Sequence, residues 1–232
     1  MSTTKDFHAE LLRPVEQVCE PDPRNTVFAK PDRETGDFIP LSIRDQHEAI
    51  SEHVLHAKVP EDIMMQFETA RNLYLYTWFV YRFYPVCEHH ALACLELALR
   101  KRYEHEAPKK YRNKRDGKLY LKGALHYAID RGYVKHEGFR RWHEWAHVRA
   151  SVRYEEEKRE EMYAKGLKRI DLDYSEVTVT DTDRNWKYLS SLLDHLPGLR
   201  NHYAHGTTML HNQVLTTLEV VSEIINQIYP SE

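Results

Sequence analysis

The sequence predicts an all-α fold, a helical bundle over residues 43–232 behind an irregular N-terminal arm at 1–42. Three observations carry that prediction. Of the 10 prolines, six fall before residue 61, so helices downstream can run with few interruptions. Apolar residues recur at helical spacing, as in Leu92, Leu95 and Leu99, or Val214, Leu218, Val221, Ile225 and Ile228. No glycine-rich phosphate loop of either common spacing is present.

The arm holds Pro14, Pro21, Pro23, Pro31 and Pro40, and the ETGD turn at 34–37 between VFA and FIPL suggests a hairpin. A short helix is expected over about 43–57. Pro60, followed by Glu61 and Asp62, starts a helix that runs to about Tyr84, with acidic residues in its first turn. Pro85 starts or kinks the next, which ends in the basic turn RKRY. After the polar linker APKKYRNKRDGK (107–118), LYLKGALHYAIDRG is amphipathic and stops at Gly132, a C′ glycine. Residues 136–167 form a long charged helix, and 168–182 a loop with a possible short strand. Asp181 or Asp183 is expected to cap a helix over about 184–195, which Pro197 and Gly198 then break. The last helix carries the Val214–Ile228 seam, narrow enough to pack on a partner helix or a second subunit.

Hydrophobic residues at 41% and charged residues at 30% support one packed domain and argue against global disorder. The net charge of −3 excludes a generally basic nucleic-acid wrapper, while leaving room for a local basic patch. Cys19, Cys87 and Cys94 form no disulfide framework and read as buried free thiols in a reducing compartment. MSTTKDFHAELL has no apolar signal core, and the run LYLYTWFVY (73–81) is too short to span a membrane. A soluble cytoplasmic protein without membrane contact is expected.

Two stretches carry chemistry. HEWAH (143–147) fits the zinc-protease pattern, in which two histidines four apart on a helix bind the metal and the glutamate activates water. The extended pattern fails, because Ala150 stands where a glycine belongs and Arg153 where the third histidine belongs. Cations flank the pair and repel a metal ion. A solvated helix face is the better reading, and zinc binding through His143 and His147 the lesser. No metal or cofactor is expected. His89 and His90 are adjacent, project about 100° apart on a helix and share no ion easily.

GLRNHYAHG (198–206) suits a reaction that needs no metal. Cleavage of RNA by its own 2′-hydroxyl requires a group that moves protons near neutral pH, which His205 supplies, and a fixed cation on the phosphate, which Arg200 supplies. Asn201 lies four before His205, on the same helix face, and can position either partner. Arg200 and His205 are five apart, about 140° around a helix, so one straight helix does not aim both at one phosphate. Two chains related by a dyad relax that constraint, which points to a homodimer with a composite site. Pro197-Gly198 would put Arg200 in a first helical turn, where free N–H groups favour an anion. Glu88 and Glu96 are candidates to line the cleft opposite. The basic stretch 109–115, with Lys109, Lys110, Tyr111, Arg112, Lys114 and Arg115, is a candidate RNA-binding loop, though a solvated connection is the plainer reading.

With Arg200, Asn201 and His205 in RNHYAH, and with helices over 88–103, 118–132 and 189–206 in that order, residues 60–229 resemble the HEPN superfamily (higher eukaryotes and prokaryotes nucleotide-binding). The resemblance implies a helical bundle that dimerises around the motif. It often implies a metal-independent endoribonuclease in toxin–antitoxin, phage-defence or RNA-processing systems, with an antitoxin or nucleotidyltransferase as partner. By that likeness Arg200 and His205 are catalytic and Asn201 supports them. Toxins of the superfamily silenced by nucleotidylation carry a Tyr two residues after the His; here the position is Thr207, which puts that regulation in doubt. Many members keep the fold as non-catalytic RNA- or protein-binding modules, the alternative reading.

Overall fold

The computed structural model describes residues 9–206 and 208–231, and it is all-α apart from one small hairpin. Thr207 lies outside the described residues. In the arm, β1 (Ala29–Pro31) pairs antiparallel with β2 (Phe38–Pro40) around the expected turn, in the register Ala29↔Pro40 and Lys30↔Ile39. Gly36 supplies the positive φ that the turn demands. The arm is tied to the body: buried Asn25 donates to the carbonyls of Thr77 and Trp78, and buried Asp22 accepts from the Tyr81 N–H at 3.0 Å.

α1 (Ile43–Ser51) is shorter than expected and opens on a capping box between Ser42 and Asp45. α2 (Glu61–Tyr76) starts after Pro60, and turns at 77–82 lead into α3 (Phe83–Tyr103), where Pro85 sits in the first turn and costs no hydrogen bond. α3 is the axis of the molecule. Its buried positions face several directions, and it packs on α2, on α4 (Leu121–Asp130), on α7 (Tyr188–Ala204) and on α8 (Leu215–Ile228). That all-round burial is what a central helix requires. Gly132 ends α4 with a φ of 69°, as a C′ glycine should.

α5 (Arg140–Ala164) is about 37 Å long at 1.5 Å per residue and joins the bundle mainly by its first turns. There Arg140 pairs with buried Glu219 of α8. Further along, α5 is met by the 168–184 segment, which contains a 3-10 turn at Tyr174–Glu176 in place of the suggested strand. Thr180, not an aspartate, caps the four-residue α6 (Asp181–Arg184); Asp183 is the third residue of that capping box and binds Arg153 of α5 at 3.0 Å.

Further expectations need correction. Pro197 and Gly198 do not break the helix: α7 runs through them from Tyr188 to Ala204. A proline inside a helix costs about 3 kcal/mol, but Leu192, Leu196, Pro197 and Tyr203 are buried on the bundle, and that packing outweighs the penalty. Arg200 therefore sits near the end of α7, not in a first turn, and the favourable N-terminal amides are lost to it. The α8 seam from Val214 to Ile228 is buried within the chain, against α3 above all, so it offers nothing to a second subunit. All three cysteines are free, but only Cys87 and Cys94 are buried as expected; Cys19, on the proline-rich arm, is exposed. Burial pushes both inner thiols well up, the Cys94 thiol to about 12, so neither is a nucleophile.

Candidate functional site

The motif ends α7. His205 is the C-cap residue, its N–H donating to Asn201 O at 3.1 Å, and Gly206 follows with a φ of 84°. The closing His-Gly pair is thus also what a helix terminus needs. His205 and Asn201 are exposed, Tyr203 is buried and Arg200 lies between these extremes.

α3 supplies the opposing wall. Arg200 Nε lies 2.9 Å from Oε2 of buried Glu96. The contact is an ion pair of poor alignment, since the Nε–H finds no hydrogen-bond acceptor among the described residues. One turn along α7, buried Tyr203 donates to Glu88 Oε2 at 2.5 Å, Thr217 of α8 donates to Glu88 Oε1 at 2.5 Å, and His211 Nε2 approaches Oε2 at 3.3 Å. Burying a carboxylate is tolerable only with such partners, and here they fix the end of α7, the following loop and α8 onto one side chain of α3. The buried hydroxyl of Tyr203 is held well above its ordinary pKa by burial and by Glu88. His89, seven residues before Glu96 and so on a related face of α3, is held below the usual histidine value by partial burial and by the charge of Arg200.

A cleft of about 300 Å³ opens over the Glu96–Arg200 pair, lined by Asn113, Tyr120, Leu121 and Lys122 on one side and Pro197, Arg200 and Asn201 on the other. It joins the motif to the end of the basic connection. Within that connection the candidates divide. Arg112 is structural, its guanidinium bonded to Glu104 and to the carbonyls of Ala107 and Gly117. Tyr111 donates to Asp130 at 2.6 Å and packs on Tyr127. Lys109, Lys110, Lys114 and Arg115 are exposed, with Lys110 over the Tyr111 ring at 4.5 Å. None of these six lines the cleft. Asn113, between them, does.

His143 and His147 lie exposed on α5; His143 Nε2 is 2.9 Å from the carbonyl of Glu137. Among the described residues no group of three His, Cys, Asp or Glu is placed to hold a metal ion, so the third ligand missing from the pattern is missing from space as well. No helix among the described residues is long and apolar enough to cross a membrane.

Of the residues that sequence reasoning gathered around the motif, Arg200, Asn201 and Glu96 line the cleft, whereas Glu88 is buried beneath Tyr203 and Thr217 and His205 stands exposed outside the lining. That reasoning overlooked Tyr120, Lys122 and Asn113 in the cleft, His211 on Glu88, and His89 beside Arg200. The spacing from His89 to Glu96 was the available signal; nothing local marks the others. No family model, curated protein or solved structure matches the chain.

Proposed function

We propose that the protein is a metal-independent endoribonuclease of HEPN type that works as a homodimer, with Arg200 stabilising the charge on the scissile phosphate and His205 moving the proton. The observation that carries this reading is the accessibility of both groups at one end of α7. Arg200 is anchored on the rim of an open cleft, and His205 is exposed about one turn on. Neither is consumed by apolar packing, as a purely structural pair would be. Asn201, exposed beside Arg200 in the same cleft, orients a phosphate oxygen on this reading. A toxin or phage-defence role, with an antitoxin or nucleotidyltransferase as partner, follows from the family resemblance alone.

The alternative is a non-catalytic RNA- or protein-binding module. The Glu96 carboxylate favours it, since a neutralised Arg200 attracts a phosphate less strongly. Incubation of the purified chain with single-stranded RNA in EDTA separates the two. The ribonuclease cleaves in chelator and loses about 100-fold or more on His205→Ala. Cleavage that needs a metal, or that survives the substitution, overturns the mechanism.

A further inference from the structure

The cleft over the Glu96–Arg200 pair has the chemistry of a seat for a base. Its volume of about 300 Å³ stands at the lower end of ligand pockets. Tyr120, 40% exposed, lines it, and its hydroxyl donates to Asp116 at 2.6 Å, which holds the ring in place before any ligand arrives. A fixed exposed aromatic is the element that single-stranded nucleic acids stack on. Asn113 has its side-chain oxygen occupied by the Arg115 N–H at 2.8 Å, so its amide N–H edge is what it offers. Asn201 brings a second amide, Glu96 an acceptor at the floor, and Lys122 an exposed cation at the rim.

We propose that this cleft binds one unpaired nucleobase of single-stranded RNA next to the phosphate at Arg200, stacked on Tyr120, with Lys122 on a flanking phosphate. The inference rests on the ribonuclease reading, and it adds a preference. An acceptor carboxylate beside amide donors suits a base with an exocyclic amino group, so adenine or cytosine binds better than uracil, whose carbonyls would face Glu96. Base pairing would hide the edges and the ring faces, so duplex RNA is excluded from the seat.

The test uses the full chain carrying His205→Ala, which leaves the cleft intact and spares the RNA, with fluorescein-labelled eight-nucleotide A and U homopolymers in EDTA. The A oligomer is expected to bind at least threefold more tightly than the U oligomer. Tyr120→Ala should weaken the A oligomer about tenfold, while Tyr120→Phe, which keeps the ring, stays within threefold of the parent. A single 2-aminopurine in the oligomer should be quenched on binding to the parent and not to Tyr120→Ala. Lys122→Gln should reduce the slope of affinity against salt by about one phosphate contact. A parent that binds RNA while Tyr120→Ala binds equally well, with unchanged quenching, sinks the base seat and leaves the ribonuclease reading standing. A parent that binds neither oligomer, together with an unsubstituted chain that cleaves no RNA, sinks both. Circular dichroism identifies a Tyr120→Ala chain that fails to fold, in which case the 2-aminopurine signal of Tyr120→Phe and the A-against-U ratio of the parent decide.

Discussion

Mixing two inactive variants measures whether the site is shared between chains. Five residues separate Arg200 from His205, which is about 140° around α7 and about 7.5 Å along it. The guanidinium is drawn onto α3 by Glu96 while His205 sits exposed at the tail of the helix. On the proposed reading, His205 of one protomer is brought to Arg200 of its partner across a dyad. In a mixed dimer of Arg200→Ala with His205→Ala, one site then carries both lesions and the other carries neither. With free exchange about half of the dimers are mixed, so about one quarter of all sites are intact. The assay is initial cleavage rate of a fluorogenic single-stranded RNA in EDTA, after the variants are combined and allowed to exchange. The expected result is about 25% of the unmodified rate from two preparations that each show about 1% or less. A mixture no more active than its components refutes the composite site, and with it the claim that α7 cannot serve one phosphate alone.

Two further outcomes test the scaffold. Glu223 of α8 is pushed up to about 7 by burial, with the neighbouring Glu219 adding to the shift and the Arg140 N–H opposing it. A carboxyl raised in the folded state contributes stability that is complete below about 4.5 and lost as pH rises through 7. Glu223→Gln should therefore leave the melting temperature unchanged near pH 4.5 and raise stability by about 1–2 kcal/mol at pH 8, after discounting for partial exposure; a chemical denaturation series against pH shows whether the gap opens in that direction. Gly123 in α4 faces the backbone carbonyl of Tyr111, and a Cβ there would collide with it. Gly123→Ala should cost about 1–3 kcal/mol despite the better helix propensity of alanine, and an unchanged thermal midpoint would contradict the close packing of the 109–111 turn on α4.

Much of the scaffold was legible because proline positions and apolar spacing are local signals: the hairpin at 29–40, the start at Glu61, the stop at Gly132 and the α8 seam all follow from residues within a few positions of one another. Pro197 misled for the same reason. Its local penalty is real, but the burial of Leu192, Leu196 and Tyr203 against α3 and α4 is a tertiary quantity that no window of ten residues contains. The Thr180–Asp183 box was readable as a threonine three before an acid, and choosing the aspartate as cap missed it. The site shows the same limit. Arg200, Asn201 and His205 stand together in the chain, whereas Glu96, 104 positions before Arg200, and Glu88, 115 before Tyr203, meet them only through packing. In the sequence Tyr120 is one early position of the 119–132 helix, and its place on a cleft follows from the course of α7.

The pairing of α3 with α8 sets an order on how the chain matures. Thr217 reaches back to Glu88, and Tyr229 to the Ala98 carbonyl at 3.2 Å, across spans of 129 and 131 residues. During synthesis α3 is made more than 100 residues before α8, so the side of α3 that α8 covers has no cover until α8 follows. The buried Glu88 meanwhile waits for Thr217, His211 and Tyr203, which emerge almost together. The contacts of Glu88 are therefore completed only once the end of α7, the loop after it and α8 are all in place.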